Sequence, residues 1–520
     1  MMQDTANNRE QGSAELGEWL EGLEYELLSG NTDVPVADVV YDSRKAAPGT
    51  IFICMAGTRI DSHDFIPQVY EAGCRVFVVE KDMQELSKNP EIAKCMTDRT
   101  LTLIQVGNAR HALALLSSAR FGHPGRKLKV IGLTGTKGKT TVSYMLKSIF
   151  EHCGKKVGVI GSNGCEICSV HYDTKNTTPE SYEINGLFLK MLEAGCEYVI
   201  MECSSQGFKM HRTDGICFDC GVFLNISPDH IGPLEHADFE EYLSCKAKIF
   251  EQSKAGVIDA DDAHAAELCR AQEGRTDGFR MLTYGIESEH VDLRASELSY
   301  LADGAFVGTE FTTAGLRNDR LRLSLAGKFN VSNALAALCI CSLFELPEDR
   351  VREALTEVHI SGRMESVYKT DRFQVIVDYA HNEVSTRSLL AALRSYHPKR
   401  LVVVFGCGGN RSMERRIGMG RAAAHAADHT ILTADNSRFE KPEDIIADIK
   451  AAYLAAGGKE ENLTEIPDRR EAIRYAVSHA QDGDMIAVIG KGHEDYQEIN
   501  GERTHFSDRE EILKAVELAS

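Results

Sequence analysis

One stretch constrains the fold more than any other. Residues 128–133 form an apolar, β-branched run, and residues 142–150 are apolar at helical spacing. Between them stand Thr134, Gly135, Thr136, Lys137, Gly138, Lys139, Thr140 and Thr141. The order is strand, glycine-rich turn, helix. Such a turn aims several backbone N–H groups at one point, and the helix start adds positive potential there. Gly135 and Gly138 let the backbone approach phosphate oxygens, Lys139 supplies a point charge, and the Thr140 hydroxyl suits a magnesium ion. Five positions separate Gly132 from Gly138, one more than in the strict phosphate loop. A nucleoside triphosphate is the expected ligand.

The rest of the chain alternates strand and helix around this stretch. Strands are predicted over 36–41, 50–55, 76–80 and 101–106, with helices over 14–28, 65–72 and 109–120. A polar link at Pro124-Gly125 closes that unit. After the loop come strands 156–160, 198–202 and 220–224, a helix over 181–194, and an alanine-rich helix over 331–344. Around Ser361-Gly-Arg363 the pattern restarts, with strands 374–378, 400–405, 429–433 and 484–489 and helices 385–395, 413–427 and 442–455. Three α/β domains follow, over 1–122, 123–360 and 361–520, with parallel sheets covered by helices. Ligands in such sheets collect at the strand ends on the loop side.

Charge narrows the partners. There are 58 basic and 78 acidic side chains, a net charge of −20, and no basic tract. Neither nucleic acid nor an anionic membrane is an expected partner. No apolar run approaches the roughly 18 residues of a membrane span, and residues 1–17 are polar, so a cytoplasmic protein without signal peptide is expected. The fifteen cysteines sit mostly in apolar segments, the pattern of a reduced compartment. Cys165-x-x-Cys168 and Cys217-x-x-Cys220 are too far apart for a zinc ribbon and read as small hydrophobes.

Two strand ends carry chemistry. Glu202 with Ser204 and Ser205 ends one; Asn225, Asp229 and His230 follow another. Glu202 and His230 are placed to converge near Thr140 as metal ligands. Lys246, on a predicted helix, reads from its own chemistry as a surface lysine. Arg411, Arg438 and Lys491 stand on three loops of the last domain, where arginine forks suit a carboxylate-bearing substrate.

These residues, taken together, resemble the Mur ligases, the amide-forming enzymes of peptidoglycan precursor synthesis. The resemblance rests on the loop and on Asn176-Thr-Thr-Pro179, Met201-Glu-Cys-Ser-Ser205, Asn225-Ile-Ser-Pro-Asp-His230, Gly327-Lys-Phe-Asn-Val-Ser-Asn333, Gly362-Arg-Met-Glu365, Val377-Asp-Tyr-Ala-His381, Phe405-Gly-Cys-Gly-Gly409, Asp435-Asn-Ser-Arg438 and Gly490-Lys-Gly-His-Glu494. Within the family the chain is most similar to the branch that adds the third residue to UDP-N-acetylmuramoyl-L-alanyl-D-glutamate. This implies a small UDP-binding domain, a central P-loop-type ATP- and magnesium-binding domain, and a Rossmann-like C-terminal domain that takes the incoming amino acid and closes over the site.

The resemblance also implies roles. Ser43, Arg44, Thr177, Thr178, Ser204 and Arg212 would hold the UDP-muramoyl peptide, and Asn330, Arg363 and Asp378 the nucleotide. Lys246 would be carbamylated by carbon dioxide and join Thr140, Glu202 and His230 around two magnesium ions, with Lys139 as the catalytic cation. Arg411, Asn436, Arg438, Gly490 and Glu494 match the meso-diaminopimelate-adding pattern. Ser437 replaces the branch's usual proline, so L-lysine or another diamino acid stays open as the substrate. A folylpolyglutamate-type ligase and a nucleotide-binding paralogue without activity are further alternatives. The implied reaction phosphorylates the D-glutamate carboxylate with ATP, and the amino acid's amine then displaces phosphate. The enzyme is expected to act as a monomer in cell-wall growth, and so in cell shape and division.

Overall fold

The computed structural model describes residues 14–57, 60–229, 231–232, 235–303 and 306–519. Its contacts gather into two compact units. One runs up to Ser143 and resumes over Gly154–Leu282; the other comprises Tyr144–Cys153 and the chain from Thr283 onward.

Besides a two-stranded pairing of Ala14–Glu15 with Pro35–Val36, the first unit holds one sheet and most strands of a second, larger one. In the smaller, the strands lie in the order Glu26–Ser29, Thr102–Gln105, Val76–Val79, Thr50–Ile53 and Asp38–Val40. The last four are mutually parallel, and only Glu26–Ser29 runs antiparallel. Helix Ala109–Arg120 covers one face; its first turn is capped by Asn108, whose Oδ1 accepts from the N–H groups of Arg110 and His111. The helix predicted over 14–28 does not form. Leu16–Trp19 makes one turn, flanked by strands Ala14–Glu15 and Glu26–Ser29. Leu16, Trp19, Leu20 and Leu23 are buried at helical spacing, but Gly22 takes φ +81° and turns the chain into the sheet edge.

The larger sheet is built around strand Lys129–Thr134, which lies between Tyr198–Glu202 and Cys220–Phe223, parallel to both. Val157–Gly161 flanks the first neighbour and Ala255–Asp259 the second. The register is what matters for chemistry: Glu202 stands opposite Leu133, so its side chain emerges where the glycine-rich turn begins. The expectation of parallel sheets is incomplete at this edge, where Gly164–Ile167 and Val170–Tyr172 form an antiparallel hairpin.

The second unit contains an antiparallel ribbon, Leu293–Asp303, Phe306–Gly315 and Arg320–Leu323, in a region where the sequence suggested no elements. Helix Lys328–Leu343 is buried on nearly all sides, which explains its alanine and cysteine content. A six-stranded sheet follows in the order Glu365–Lys369, Phe373–Asp378, Asp484–Ile489, Arg400–Phe405, His429–Leu432 and Leu463–Glu465. All but the first are parallel, and apolar clusters pack both faces. Among the described residues no helix is long and apolar enough to cross a membrane.

Candidate active site

The glycine-rich turn is braced by one side chain. Asn225 Oδ1 accepts from the Lys137 N–H at 2.9 Å, its Nδ2 donates to the Lys137 carbonyl at 3.1 Å, and its own carbonyl accepts from the Thr136 N–H. Gly138, at φ +88°, supplies the left-handed residue that turns the chain into helix Lys139–His152. Thr134 is fully buried and donates to the Cys203 carbonyl at 2.8 Å. Thr136 bonds the Tyr242 hydroxyl at 3.0 Å. The Lys139 ammonium folds back onto the Gly135 carbonyl at 2.6 Å. Thr141 lies in the helix's first turn.

Glu202 is fully buried. Its carboxylate accepts from Thr140 Oγ1 at 3.1 Å, from the Ser162 N–H at 3.2 Å and from Ser162 Oγ at 3.2 Å. The space it occupies exists because residue 161 is glycine; a Cβ there would overlap the carboxylate. All these donors are neutral. A buried carboxylate ordinarily pairs with a cation or binds a metal. An acid and a hydroxyl at the mouth of a phosphate-type loop make a donor set for a hard divalent ion, and magnesium fits it. His230, the third expected ligand, lies outside the described residues.

Lys246 is not a surface lysine. It is 2% exposed, and its Nζ donates to the Gly135 carbonyl at 3.0 Å, the oxygen that Lys139 also uses. Burial first, and the Lys139 charge second, push its proton affinity well below the ordinary lysine value of 10.5. The unfolded chain therefore binds this proton more strongly than the folded one. The resulting stability penalty is full below the folded value and fades as pH rises towards 10.5. Replacement by methionine, studied in CO2-free buffer, is expected to raise Tm relative to wild type most at low pH, with the gap narrowing into alkaline solution. A gap that does not change with pH would refute the linkage.

The peptide-binding candidates gather beside Glu202. Thr177 Oγ1 meets Ser162 Oγ at 3.0 Å. Thr178 Oγ1 donates to the Glu202 carbonyl at 2.9 Å and lies 3.1 Å from Ser204 Oγ. Arg212 grips the Thr178 carbonyl at 3.1 Å and Glu180 at 2.7 Å. Ser43 and Arg44 lie in the smaller sheet's domain, on a turn after Asp38–Val40. Arg44 is largely exposed and forks onto Asp42, holding that carboxyl down at about 2.

In the second unit, Asp378 accepts from the Met364 and Ala380 N–H groups, both at 2.8 Å; burial raises its pKa and the Arg363 charge opposes that rise. Arg363 lies over the Tyr379 ring at 4.6 Å. Asn330 is buried in the first turn of its helix and bonds the Ala326 carbonyl and Asn333.

Two loops of the six-stranded sheet interlock. Asn436 Nδ2 donates to Glu494 Oε2 at 2.8 Å, and the fully buried Lys491 ammonium donates to Asn436 Oδ1 and Glu494 Oε2, both at 3.1 Å. Asn436 is thereby spent on bracing the loops. Arg438 takes φ +52°, unusual for an arginine, and donates to the Gly409 carbonyl at 2.7 Å. A Cβ on Gly408 would lie 3.1 Å from Arg438 Nη1 and 3.6 Å from Arg411 Cγ, so both arginines flank that glycine. Gly490 is equally tight against Asp435. Around this point the charges alternate: Arg438 Nε lies 4.0 Å from Glu498, and Glu494 is paired with the Lys491 ammonium.

Family models match along the chain: the Mur ligase family catalytic domain over residues 35–121, the Mur ligase middle domain over 133–341, and the Mur ligase glutamate ligase domain over 362–492. UDP-N-acetylmuramoyl-L-alanyl-D-glutamate--2,6-diaminopimelate ligase of Clostridium perfringens (strain 13 / Type A) is 36% identical over 96% of this chain and 98% of its own length. The chain belongs to the Mur ligase family. The ligase of the same name from Caldanaerobacter subterraneus subsp. tengcongensis is 37% identical with the same coverage. A solved structure of a UDP-N-acetylmuramoyl-L-alanyl-D-glutamate--2,6-diaminopimelate ligase superposes with a TM-score of 0.71 at 27% identity, covering 97% of this chain and 99% of that one. Folylpolyglutamate synthase of Mycobacterium tuberculosis shares the fold, with a TM-score of 0.59 at 18% identity over 73% of this chain and 92% of its own. The three-domain α/β architecture is that of the Mur ligases.

Several side chains of this Mur ligase escaped the sequence reading as site residues. Asn225, Tyr379 and His493 stood inside quoted motifs without a role of their own, and Tyr242 carried no signal. His493 packs on Tyr379 with ring centroids 5.1 Å apart; burial, with Arg363 adding to it, pushes its pKa down to about 4. Among the described residues, one group of potential metal ligands gathers away from the loop: His111, His211 and Asp214. Both histidines use Nδ1 on one Asp214 oxygen, at 2.6 and 2.8 Å. Asn108 has its oxygen committed to the helix cap, so its NH2 faces His211 Nε2 at 3.0 Å and holds that ring as the neutral Nδ1–H tautomer. A metal on Nδ1 would put two donors face to face there, so the trio is a hydrogen-bonded brace.

Proposed function

We propose that this Mur ligase joins an amino group of meso-diaminopimelate to the D-glutamate carboxylate of UDP-N-acetylmuramoyl-L-alanyl-D-glutamate, with ATP converted to ADP and phosphate. The observation that carries the ligase chemistry is the neutral-donor pocket of Glu202 against Thr140 and the Lys139 loop. The substrate class draws on the relatives named above and on the Arg411 and Arg438 side chains that flank Gly408, with Glu494 on the loop tied to Asn436.

In this reading the P-loop-type central domain holds the triphosphate on the backbone of residues 134–141, and the Rossmann-like C-terminal domain holds the amino acid. Asn330, Arg363 and Asp378 serve the nucleotide, and Ser43, Arg44, Thr177, Thr178, Ser204 and Arg212 the UDP-muramoyl peptide. A D-glutamate carboxylate oxygen attacks the γ-phosphorus, and the bond to the β–γ bridging oxygen breaks as ADP leaves. The Lys139 ammonium bears on the developing negative charge. The diamino acid's free amine then attacks the acyl carbon, loses a proton, and phosphate departs with the C–O electron pair. Two magnesium ions, held by Thr140, Glu202, His230 and carbamylated Lys246, would supply neutralisation of phosphate charge. The Lys246 amine supports this role by being buried and easily deprotonated, the form that adds to CO2 and releases a proton. A cytoplasmic enzyme is proposed, since two of its substrates are soluble nucleotides, and it is proposed to act as a monomer.

The test is phosphate release with ATP, magnesium and UDP-N-acetylmuramoyl-L-alanyl-D-glutamate, comparing meso-diaminopimelate with L-lysine. Strong preference for diaminopimelate is expected. Preference for lysine keeps the ligase and overturns the amino acid, and silence with both favours a non-catalytic paralogue. In the same assay Gly161→Ala, which crowds Glu202, is expected to lower kcat about 100-fold with an unchanged circular dichroism spectrum. Undiminished turnover would show that the position of Glu202 is not critical.

A further inference from the structure

The two loops proposed to hold the diamino acid come from strands that do not touch. Asp435 to Arg438 follow His429–Leu432, and Gly490 to Glu494 follow Asp484–Ile489; strand Arg400–Phe405 lies between. No ladder hydrogen bond can set their separation. Yet a site that takes a carboxylate on one loop and an ammonium on the other depends on that separation to a fraction of an ångström.

One buried side chain spans the gap. Arg469 opens helix Arg469–Ser478 and is 1% exposed. Its Nη1 donates to the Ala434 carbonyl at 3.3 Å, and its Nη2 to the Ile489 carbonyl at 2.9 Å. Ala434 and Ile489 are the residues immediately before the two loops. The adjoining Pro467 carbonyl accepts the Ala434 N–H at 3.1 Å, so this segment grips Ala434 from both sides. The remaining edge of the guanidinium forks onto Asp508, with Nε to Oδ1 and Nη2 to Oδ2 both at 2.7 Å. Asp508 is fully buried at the start of the last helix, Asp508–Ala519.

A buried ion pair is a poor way to gain stability, because well-packed apolar residues of similar volume usually do as well or better. What apolar residues cannot do is hold two carbonyls at a fixed spacing. Lysine cannot either, as a point charge on a flexible stem; the planar fork can. We infer that Arg469, with Asp508 as its counter-ion, is a positioning residue that sets the distance between the Asn436–Arg438 loop and the Gly490–Glu494 loop, and so tunes amino-acid selection. The inference rests on the amino-acid site proposed above. The front of the same junction is closed by Lys491 between Asn436 and Glu494. Arg469 thus braces from behind what Lys491 ties within the site.

The experiment uses the full chain and phosphate release, varying each of the three substrates in turn. Arg469→Lys and Asp508→Asn are expected to raise KM for the amino acid about 10-fold, with KM for ATP and for the UDP-dipeptide within about 2-fold of wild type. The preference for meso-diaminopimelate over L-lysine is expected to fall about 10-fold with it. The double variant R469M/D508L replaces the buried pair by apolar groups and guards against a folding failure in the single variants. It should melt near the wild-type temperature and show the same selective rise. A folded double variant with wild-type amino-acid KM and selectivity overturns the inference, as does an equal rise in all three KM values. If the wild type prefers L-lysine, the same split is read on lysine. Amino-acid-dependent turnover absent from the wild type would overturn the function reading, and this inference with it.

Discussion

Lys246→Ala is expected to abolish ligation, by about 1,000-fold or more, and formate or acetate should restore part of the rate. The physical basis is the crowding of two ammonium groups at one acceptor. Lys139 and Lys246 both donate to the Gly135 carbonyl, at 2.6 and 3.0 Å, and Lys246 is buried. Two full charges there would repel across a poorly solvated space. Conversion of Lys246 to a carbamate would remove the repulsion and set a carboxylate-like group beside Tyr242 and the loop. The alanine variant would leave room for a small carboxylate where the proposed carbamate would stand. The measurement is steady-state phosphate release at a series of formate and acetate concentrations. Full activity without rescue would remove the carbamate from the mechanism, and loss without rescue would leave Lys246 a structural role only.

Arg438→Ala is the second large effect. Removing one charged partner of a carboxylate leaves the other ion without its hydrogen bonds, a loss of about 2–4 kcal/mol, or roughly 30- to 1,000-fold in kcat/KM for meso-diaminopimelate. ATP binding should survive, because Arg438 bears on the Gly409 carbonyl and Glu498 and not on the residues proposed to hold the nucleotide. The structure fixes Arg438 in place. Its left-handed backbone is the kind of cost that persists at functional sites, and Nη1 is anchored on the Gly409 carbonyl. Arg411, which is exposed, is expected to matter less. Calorimetric titration with ATP and kinetics with diaminopimelate and lysine separate the two steps. An Arg438→Ala enzyme equally active on diaminopimelate would remove the basis for the substrate assignment.

Much of this molecule was legible before the structure. Strands 198–202, 400–405 and 484–489 and helices 109–120 and 442–455 form where patterning places them, because each is an apolar run or a periodic stripe bounded by caps and turns. The region from 280 to 323 was silent, because its long ribbon pairs polar and apolar residues without strict alternation and interrupts itself with a bulge between Ser296 and Ser299. The supposed helix at 14–28 failed because Gly22 turns the chain after Leu16–Trp19 and Leu20, and pairing with Thr102–Gln105 claims residues 26–29. Lys246 was misread on residue chemistry, yet a signal existed. Tyr242, Cys245, Lys246, Ile249 and Phe250 share the buried stripe of helix Phe239–Glu251, and a lysine on such a stripe is a lysine inside.

By itself, the sequence determined what neighbouring residues decide: the glycine-rich turn between strand and helix, the caps, the α/β alternation, and the motifs that mark a Mur ligase. Only the tertiary structure decided which of these groups meet. Glu202 reaches Thr140 through a strand register across 62 positions of chain, and Lys246 reaches Gly135 across 111. Arg469 joins two loops whose strands never pair. Local preferences act within a few residues and leave their mark in spacing. Register, burial and buried ion pairs are set by the simultaneous packing of distant segments, and no short stretch of sequence carries that information.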